Sequence, residues 1–400
     1  MTENENKEIL IYSTTWCSDC KRAKKFLGEQ RIAYVNIDIE ENPQYITEVE
    51  RLNNGMRSVP TIVFPDGTIL SEPSNAELAQ KLGLQTVAQR KFYDVIIVGG
   101  GTTGLTAAIY LSREGMDTLV IERGALGGQV GMTQMMDNFP GFDQGISGSD
   151  FADRLVRQAR RFGVEILQAT EVIDISKEET GYLAVTTRGE KNYGCKAVLF
   201  ATGARYRRLG VPGEDALIGS QVHFCATCDG AFYRDKKVLV VGGGNSGFEE
   251  GLYLTKFARQ VDIVEFMPQV RASKLIQDKV ATMDNMKVTL NHSIKELVVK
   301  DKNKLHKIIA IDRANGTQKE WDYDGIFIFI GLEPNSDLLK DKVEIDTTGF
   351  VVTDKTLQTD IPGLYAAGDV RSGSTKQAAS AAGEGATAAL MIRDYVREIG

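Results

Sequence analysis

Val98-Gly99-Gly100-Gly101-Thr102-Thr103-Gly104 stands directly after an apolar stretch, residues 93–98, and directly before a helical one, residues 105–113. Strand, G-x-G-x-x-G and helix in that order form a dinucleotide cradle. Glycine lets the main chain approach a pyrophosphate, whose charge then rests on the helix N-terminus. Glu122 lies eighteen residues past Gly104, at the end of a strand over residues 118–121. There a carboxylate can accept hydrogen bonds from ribose hydroxyls. Gly99, Gly101, Thr103, Gly104 and Glu122 are therefore candidate cofactor contacts.

The pattern recurs. Val241-Gly242-Gly243-Gly244-Asn245-Ser246-Gly247 follows a strand over residues 237–240, and Glu265 again falls eighteen residues past the last glycine. Gly242, Gly244, Asn245, Ser246, Gly247 and Glu265 make a second candidate set. Two cradles in one chain suggest a resident flavin dinucleotide, FAD, and an exchangeable nicotinamide. Hydride donors deliver two electrons at once, thiolates are poor hydride acceptors, and a flavin mediates between them.

Thiols supply the other end. Four of the five cysteines form Cys17-Ser18-Asp19-Cys20 and Cys225-Ala226-Thr227-Cys228, each able to close as a disulfide or open as a dithiol. Cys17 begins a helix read over residues 21–30 and Cys20 lies one turn in. The helix N-terminus then lowers the pKa of an exposed Cys17, making it the attacking thiolate, with Cys20 resolving the mixed disulfide. Zinc ligation or a buried structural pair are the other readings. Zinc needs four ligands, and only His223 stands close to either pair; no metal site is expected. His223, two residues before Cys225, is a lesser candidate proton donor. Lone Cys195 reads as packing and Trp321 as core.

Four hundred residues suggest two to four domains at roughly 100–200 residues each. A net charge of −7 and the lack of a basic run argue against nucleic-acid binding. No apolar run approaches the ~18 residues that span a membrane. The polar start, Met1 to Lys7, and the sparse, closely spaced cysteines read as cytosolic.

The first unit reads β-α-β-α-β-β-α: strands over 8–13, 34–39, 61–64 and 69–70, and helices over 21–30, 45–52 and 76–82, with Asp66-Gly67 as a hairpin. The fold class is α/β throughout: a thioredoxin-like domain over 1–84, a linker over 85–91, and two Rossmann-like three-layer domains. One covers 92–208 and 331–400 and takes FAD. The other, 209–330, carries the nicotinamide site and the second cysteine pair and is inserted in the first.

Residues 92–400 resemble low-molecular-weight thioredoxin reductases. The matching stretches are Gly127-Gly128-Gln129, Asp137-Asn138-Phe139-Pro140-Gly141, Ala201-Thr202-Gly203, Cys225-Ala226-Thr227-Cys228-Asp229-Gly230 and Tyr365-Ala366-Ala367-Gly368-Asp369-Val370. The resemblance implies FAD contacts at the first loop, Glu122, Gly128, Gln129, Asn138, Ala201, Gly203, Asp369, Gln377 and Ala378. It implies Cys225 and Cys228 as the redox disulfide, Asp229 as the nearby acid, and a homodimer whose nicotinamide domain rotates between two poses. Residues 8–84 resemble glutaredoxins and mycoredoxins through Trp16-Cys17-Ser18-Asp19-Cys20 and Val59-Pro60, which matches the family's cis-proline. Trp16, Val59 and Pro60 are then the docking surface for a substrate chain. The glutathione-binding signature is missing; Asp66-Gly67 and Glu72 to Ala76 stand near its place.

NADPH-specific members carry a basic cluster where this chain has Glu265, Phe266 and Met267, keeping only Arg271. A glutamate repels a 2′-phosphate and suits free ribose hydroxyls, so NADH is the expected coenzyme and NADPH the alternative. The expected activity is an FAD-dependent disulfide reductase passing electrons to Cys225/Cys228, to Cys17/Cys20 and then to a thioredoxin, glutaredoxin-like or peroxiredoxin protein. A peroxiredoxin reductase of the alkyl hydroperoxide reductase flavoprotein type is the alternative.

Overall fold

The computed structural model describes residues 8–133, 136, 138–300 and 304–399. In the N-terminal unit, strand β1 (Ile9–Ser13) carries an almost wholly buried apolar run and sits inside a four-stranded sheet of order β2-β1-β3-β4, with β2 (Tyr34–Asp38), β3 (Thr61–Val63) and β4 (Ile69–Ser71). β1 pairs parallel to β2 and antiparallel to β3. Helix α1 (Ser18–Glu29) buries Cys20, Ala23, Phe26 and Leu27, spaced i, i+3, i+6 and i+7 along one face of an amphipathic helix. It starts three residues before the sequence-based expectation, because Cys17 acts as N-cap and its sulfur accepts the Cys20 amide at 2.9 Å. Helix α2 (Ile46–Leu52) follows a short 3-10 turn, Pro43–Tyr45. Helix α3 (Asn75–Lys81) opens with a capping box, Ser74 and Glu77 each satisfying the other's main-chain N–H.

The second unit is a seven-stranded sheet. Parallel strands β5 (Phe92–Val98), β6 (Thr118–Ile121) and β7 (Glu165–Leu167) continue through β10 (Lys191–Phe200) into the antiparallel β9 (Leu183–Thr187) and β8 (Val172–Lys177). The central strands are buried on both faces, hence their unbroken Val/Ile/Leu runs. Helix α4 (Thr102–Arg113) leaves the first glycine loop, and α5 (Gly148–Arg161) covers the same core. Chain from the far end of the sequence completes the layer: β21 (Leu364–Ala366) pairs with β10, and α10 (Ala378–Ile399) packs on α4. Gly385 permits that approach, since a Cβ there would run into the Thr103 carbonyl.

Between these parts lies an all-parallel sheet of order β12-β19-β13-β14-β15, from β12 (Val222–His223), β13 (Lys237–Val241), β14 (Gln260–Val264), β15 (Met286–Thr289) and β19 (Gly325–Ile328). Helices α6 (Glu214–Leu217), α7 (Ala226–Asp229), α8 (Asn245–Leu254) and α9 (Lys274–Ala281) accompany it. An antiparallel layer, β16 (His292–Lys300), β17 (Lys304–Asp312) and β18 (Gln318–Trp321), lies beside it. A two-stranded ribbon, β11 (Ala204–Tyr206) against β20 (Leu332–Pro334), marks the crossing from one sheet to the other and back. Among the described residues no helix is long and apolar enough to cross a membrane.

Candidate active site

The first glycine loop is shaped by close approaches. A Cβ on Gly99 would strike the Ala201 carbonyl, and one on Gly104 would strike the Gly99 carbonyl. At Gly101, by contrast, the nearest atom to such a Cβ is Gly128 Cα at 3.8 Å, so main chain faces open space where α4 begins. Thr103 is in the first turn of α4. Glu122 accepts from Gly100 N at 2.7 Å and from Gly124 N at 2.6 Å, so the acid also holds its own glycine loop in place. Sequence reasoning missed this second role. A cleft of about 410 Å³ opens beside it, lined by Gly99, Glu122, Arg123, Thr170, Val172 and Asn335 among others.

The remaining first-site residues come from three distant segments. Gly128 and Gln129 lie in a 3-10 turn, Gly128–Met132, whose preceding Gly127 bridges to Gly101 and donates its N–H to Gly100 O at 2.7 Å. Ala201 and Gly203 follow β10, with Ala201 N donating to Val98 O at 2.8 Å and Gly203 at φ +69°. Asn138 donates to Gln377 at 3.1 Å across 239 residues of sequence, and Ala378 starts α10. Asp369 is in a short 3-10 turn, Gly368–Val370. Burial pushes its carboxyl above the usual range, Lys376 opposing. Its Oδ1 is buried with no hydrogen-bond partner, as is Thr102 Oγ1. An orphaned carboxylate oxygen and an orphaned hydroxyl beside a glycine cradle fit a flavin dinucleotide, whose hydroxyls can donate to the first and whose pyrophosphate can accept from the second. Asp137 lies outside the described residues.

The second loop repeats the first. Glu265 accepts from Gly243 N at 2.5 Å and from Met267 N at 2.8 Å, the same two-amide grip as Glu122. A Cβ on Gly242 would strike the Phe329 carbonyl and one on Gly247 the Gly242 carbonyl, whereas Gly244 faces open space. Asn245 and Ser246 begin α8; Asn245 accepts from Ser273 N at 2.7 Å, and Arg271 N donates to Gly243 O at 2.8 Å. Arg313 covers the exposed Phe266 ring at 3.4 Å from its centroid.

Cys225 is disulfide-bonded at the entry to α7, the helix that also carries Cys228 and ends at Asp229. The side chain of Cys228 lies outside the described residues. Asp229 and His223 are both buried, with His223 Nδ1 3.3 Å from the carboxylate and Nε2 2.7 Å from the Tyr233 hydroxyl. The lesser candidate His223 thus stands against the acid rather than apart from it. Glu250, on α8, accepts from the Ala226 amide in the first turn of α7. Burial pushes its carboxyl up, that amide opposes the shift, and Oε2 is left without a partner. Tyr206 stacks on Phe224 at 5.2 Å, and burial, with Asp369, Glu250 and Asp229 nearby, raises its hydroxyl to about 12. Glu250 and Tyr206 were not singled out from sequence, where a lone Glu on a helix and a lone Tyr on a strand carry no signal.

In the N-terminal unit Cys17 and Cys20 form a disulfide, with Cα atoms 5.2 Å apart. The sequence leads us to expect an exposed Cys17; instead it is only 6% accessible, packed at the start of α1. Its sulfur is turned onto the Cys20 amide and lies 3.5 Å from the Val59 carbonyl. The Val59–Pro60 bond is cis. Trp16, 68% exposed, donates from Nε1 to Glu40 at 2.9 Å. Cys195 is fully buried in β10 as a free thiol, and burial pushes its pKa up, which suits packing. No cluster of metal-binding side chains occurs among the described residues.

Residues 93–385 match the family model for pyridine nucleotide-disulphide oxidoreductases, and residues 9–69 match that for glutaredoxins. The chain is 39% identical over 314 residues to a thioredoxin reductase of Listeria innocua, covering 78% of this chain and 96% of that protein. A thioredoxin reductase of Bacillus subtilis is 39% identical over 317 residues, covering 78% and 98%. Among solved structures, the thioredoxin reductase from Streptococcus pyogenes matches with a TM-score of 0.72 at 37% identity, over 77% of this chain and 99% of that one. The chain therefore belongs to the pyridine nucleotide-disulphide oxidoreductases, as an FAD- and NAD(P)H-dependent disulfide oxidoreductase of thioredoxin reductase type with a glutaredoxin domain at its N-terminus.

Proposed function

We propose that this enzyme is a self-contained disulfide relay, in which Cys225/Cys228 reduces Cys17/Cys20 and the glutaredoxin domain reduces a client protein. The observation that carries this reading is the presence of two Cys-x-x-Cys sequences, each at the start of a helix, with Cys17 bonded to Cys20 and Cys225 disulfide-bonded. Bound FAD supplies the two-electron step between a hydride donor and a disulfide. The first loop with Glu122, Gln129, Asn138, Asp369, Gln377 and Ala378 would hold it. The second loop with Glu265 and Arg271 would hold NADH.

Reduction opens Cys225/Cys228 to a dithiol. One of its thiolates attacks the Cys17–Cys20 bond, and resolution of the mixed disulfide closes Cys225/Cys228 as Cys17/Cys20 becomes the dithiol. Asp229, oriented by His223, holds the proton that the departing thiolate takes up. Cys17 then faces the client beside Val59 and cis-Pro60, where the N-terminal amides of α1 favour its thiolate. Thioredoxin-like proteins and peroxiredoxins are the client classes. Cytosolic residence fits the sparse, paired cysteines. A homodimer, with the unit 209–330 turning about the β11/β20 ribbon, completes the reading.

The test replaces Cys17 by Ser. Turnover of a redoxin-dependent disulfide should fall to background while bleaching of the flavin by NADH in stopped flow persists. Retained client turnover would contradict the relay. A Cys20→Ser trap, followed by identification of the captured protein, separates a peroxiredoxin from a thioredoxin-like client.

A further inference from the structure

The glutaredoxin domain touches the flavoprotein unit with the end of α1 opposite its cysteines. Ala125 N donates to Glu29 O at 2.9 Å, and Gln30 Nε2 donates to Arg123 O at 2.9 Å. Arg31 comes next, in left-handed conformation at φ +54°, uncommon for a residue with a Cβ. That turn sends its guanidinium into the segment after Glu122. Nη2 donates to the Gly128 carbonyl, and Nη1 lies 3.5 Å from the Leu126 carbonyl. A Cβ on Gly131 would occupy the space this guanidinium fills.

Gly128 is also the residue that faces Gly101 across the cradle, and Gly127 bridges to Gly101 directly. Arg31 therefore stands one residue's width from the main chain that receives a pyrophosphate. Its contacts there are to carbonyls; no carboxylate among the described residues pairs with it. Burial lowers its pKa from the ordinary value, with Glu122 opposing. A guanidinium has five donors in a planar fork matched to phosphate oxygens, and main-chain carbonyls here use only part of that set. The helix N-terminus at Thr102 offers roughly half a positive charge against the two negative charges of a pyrophosphate. Arg123 lines the neighbouring cleft, and Arg31 brings a second cation to the edge of the cradle.

We propose that Arg31 of the glutaredoxin domain completes the FAD site as a ligand for the cofactor's pyrophosphate, so that flavin binding and docking of this domain are linked. The inference rests on FAD occupying the first glycine loop. Linkage is reciprocal: whatever the latch adds to FAD affinity, FAD adds to the latch. The domain is then a wall of the flavin site as well as a redox carrier.

The test uses full-length apoprotein titrated with FAD and followed by flavin fluorescence. Arg31→Gln should raise Kd by about tenfold to a hundredfold, as for loss of a charged hydrogen-bond partner, and Arg31→Lys should recover part of it. Gly101→Val should abolish binding by filling the cradle. If Gly101→Val abolishes binding but Arg31→Gln binds like the parent, the inference falls and the placement of FAD stands. If Gly101→Val binds normally, the placement itself falls and takes the inference with it. Hydrogen exchange on the unmutated chain gives an arm independent of variant folding. FAD should slow exchange of the Ala125 amide, which is bonded to Glu29 O, and unchanged exchange would overturn the linkage.

Discussion

Glu265 and Glu122 each turn one carboxylate oxygen to the second glycine amide of their own loop and the other to an amide further along. In the proposed coenzyme site, Glu265 fixed in this way would set a negative charge against a 2′-phosphate. We expect kcat/KM for NADH to exceed that for NADPH by about tenfold or more, since like-charge contacts cost several kcal/mol. Steady-state kinetics with both coenzymes checks this, and parity would assign the site to Arg271 and Arg313 instead. Glu250 gives a pH-dependent case. Its carboxyl is raised above 4.5 by burial, so the protonated form suits the folded state. That contribution is complete below 4.5 and is lost as pH rises through the raised value. Glu250→Gln keeps an acceptor for the Ala226 amide and removes the buried charge. The variant should be more stable than the parent at pH 7 by about 1 kcal/mol, a gap that closes as the pH falls. Denaturant melts across that range measure it.

Helix α10 shows how an element far along the sequence serves the cradle. Its Gly385 lies against the Thr103 carbonyl in the first turn of α4, while Gly383 has nothing within 4 Å of a Cβ. Gly385→Val should drive α10 off α4, destabilise by about 1–3 kcal/mol and reduce bound flavin per chain. Gly383→Ala should be neutral or stabilising by up to ~1 kcal/mol, because glycine disfavours helix interiors. Thermal melts and the flavin-to-protein absorbance ratio distinguish them. An identical effect of both substitutions would mean that close packing at Gly385 is immaterial. The spacing of small residues in α10 can be read from sequence, but which glycine meets α4 cannot. That depends on how two helices cross, and crossing is set by side chains from both.

At the scale of the whole molecule, the connection between the two family modules is tied down rather than loose. Glu165 at the start of β7 accepts from Gln85 Nε2 and Gln89 N, each at 2.7 Å, and from the Tyr93 hydroxyl at 2.6 Å. Gln168 N donates to Gln85 O at 2.8 Å. A flexible linker would give the redoxin a roughly millimolar effective concentration; this one restricts it to fewer poses. Glu165→Ala should free the segment and speed tryptic cleavage at Arg90 and Lys91 several-fold, since cleavage tracks local opening. Unchanged cleavage would show that the carboxylate does not hold the segment.

Local sequence alone determined the nucleotide cradles with their flanking strands and helices, the two cysteine pairs and the elements of the N-terminal unit. Each depends on residues within one turn, one loop or one strand: glycines where main chain must approach, a cap at Cys17, apolar runs where a strand is buried on both faces. Tertiary structure decided what meets across long separations. It turned the Cys17 sulfur inward beside Val59, set His223 and Tyr233 around Asp229, brought Asn138 to Gln377, and carried Arg31 to the edge of the first cradle. Such contacts rest on the packing of whole elements, and no pattern of neighbouring residues encodes them.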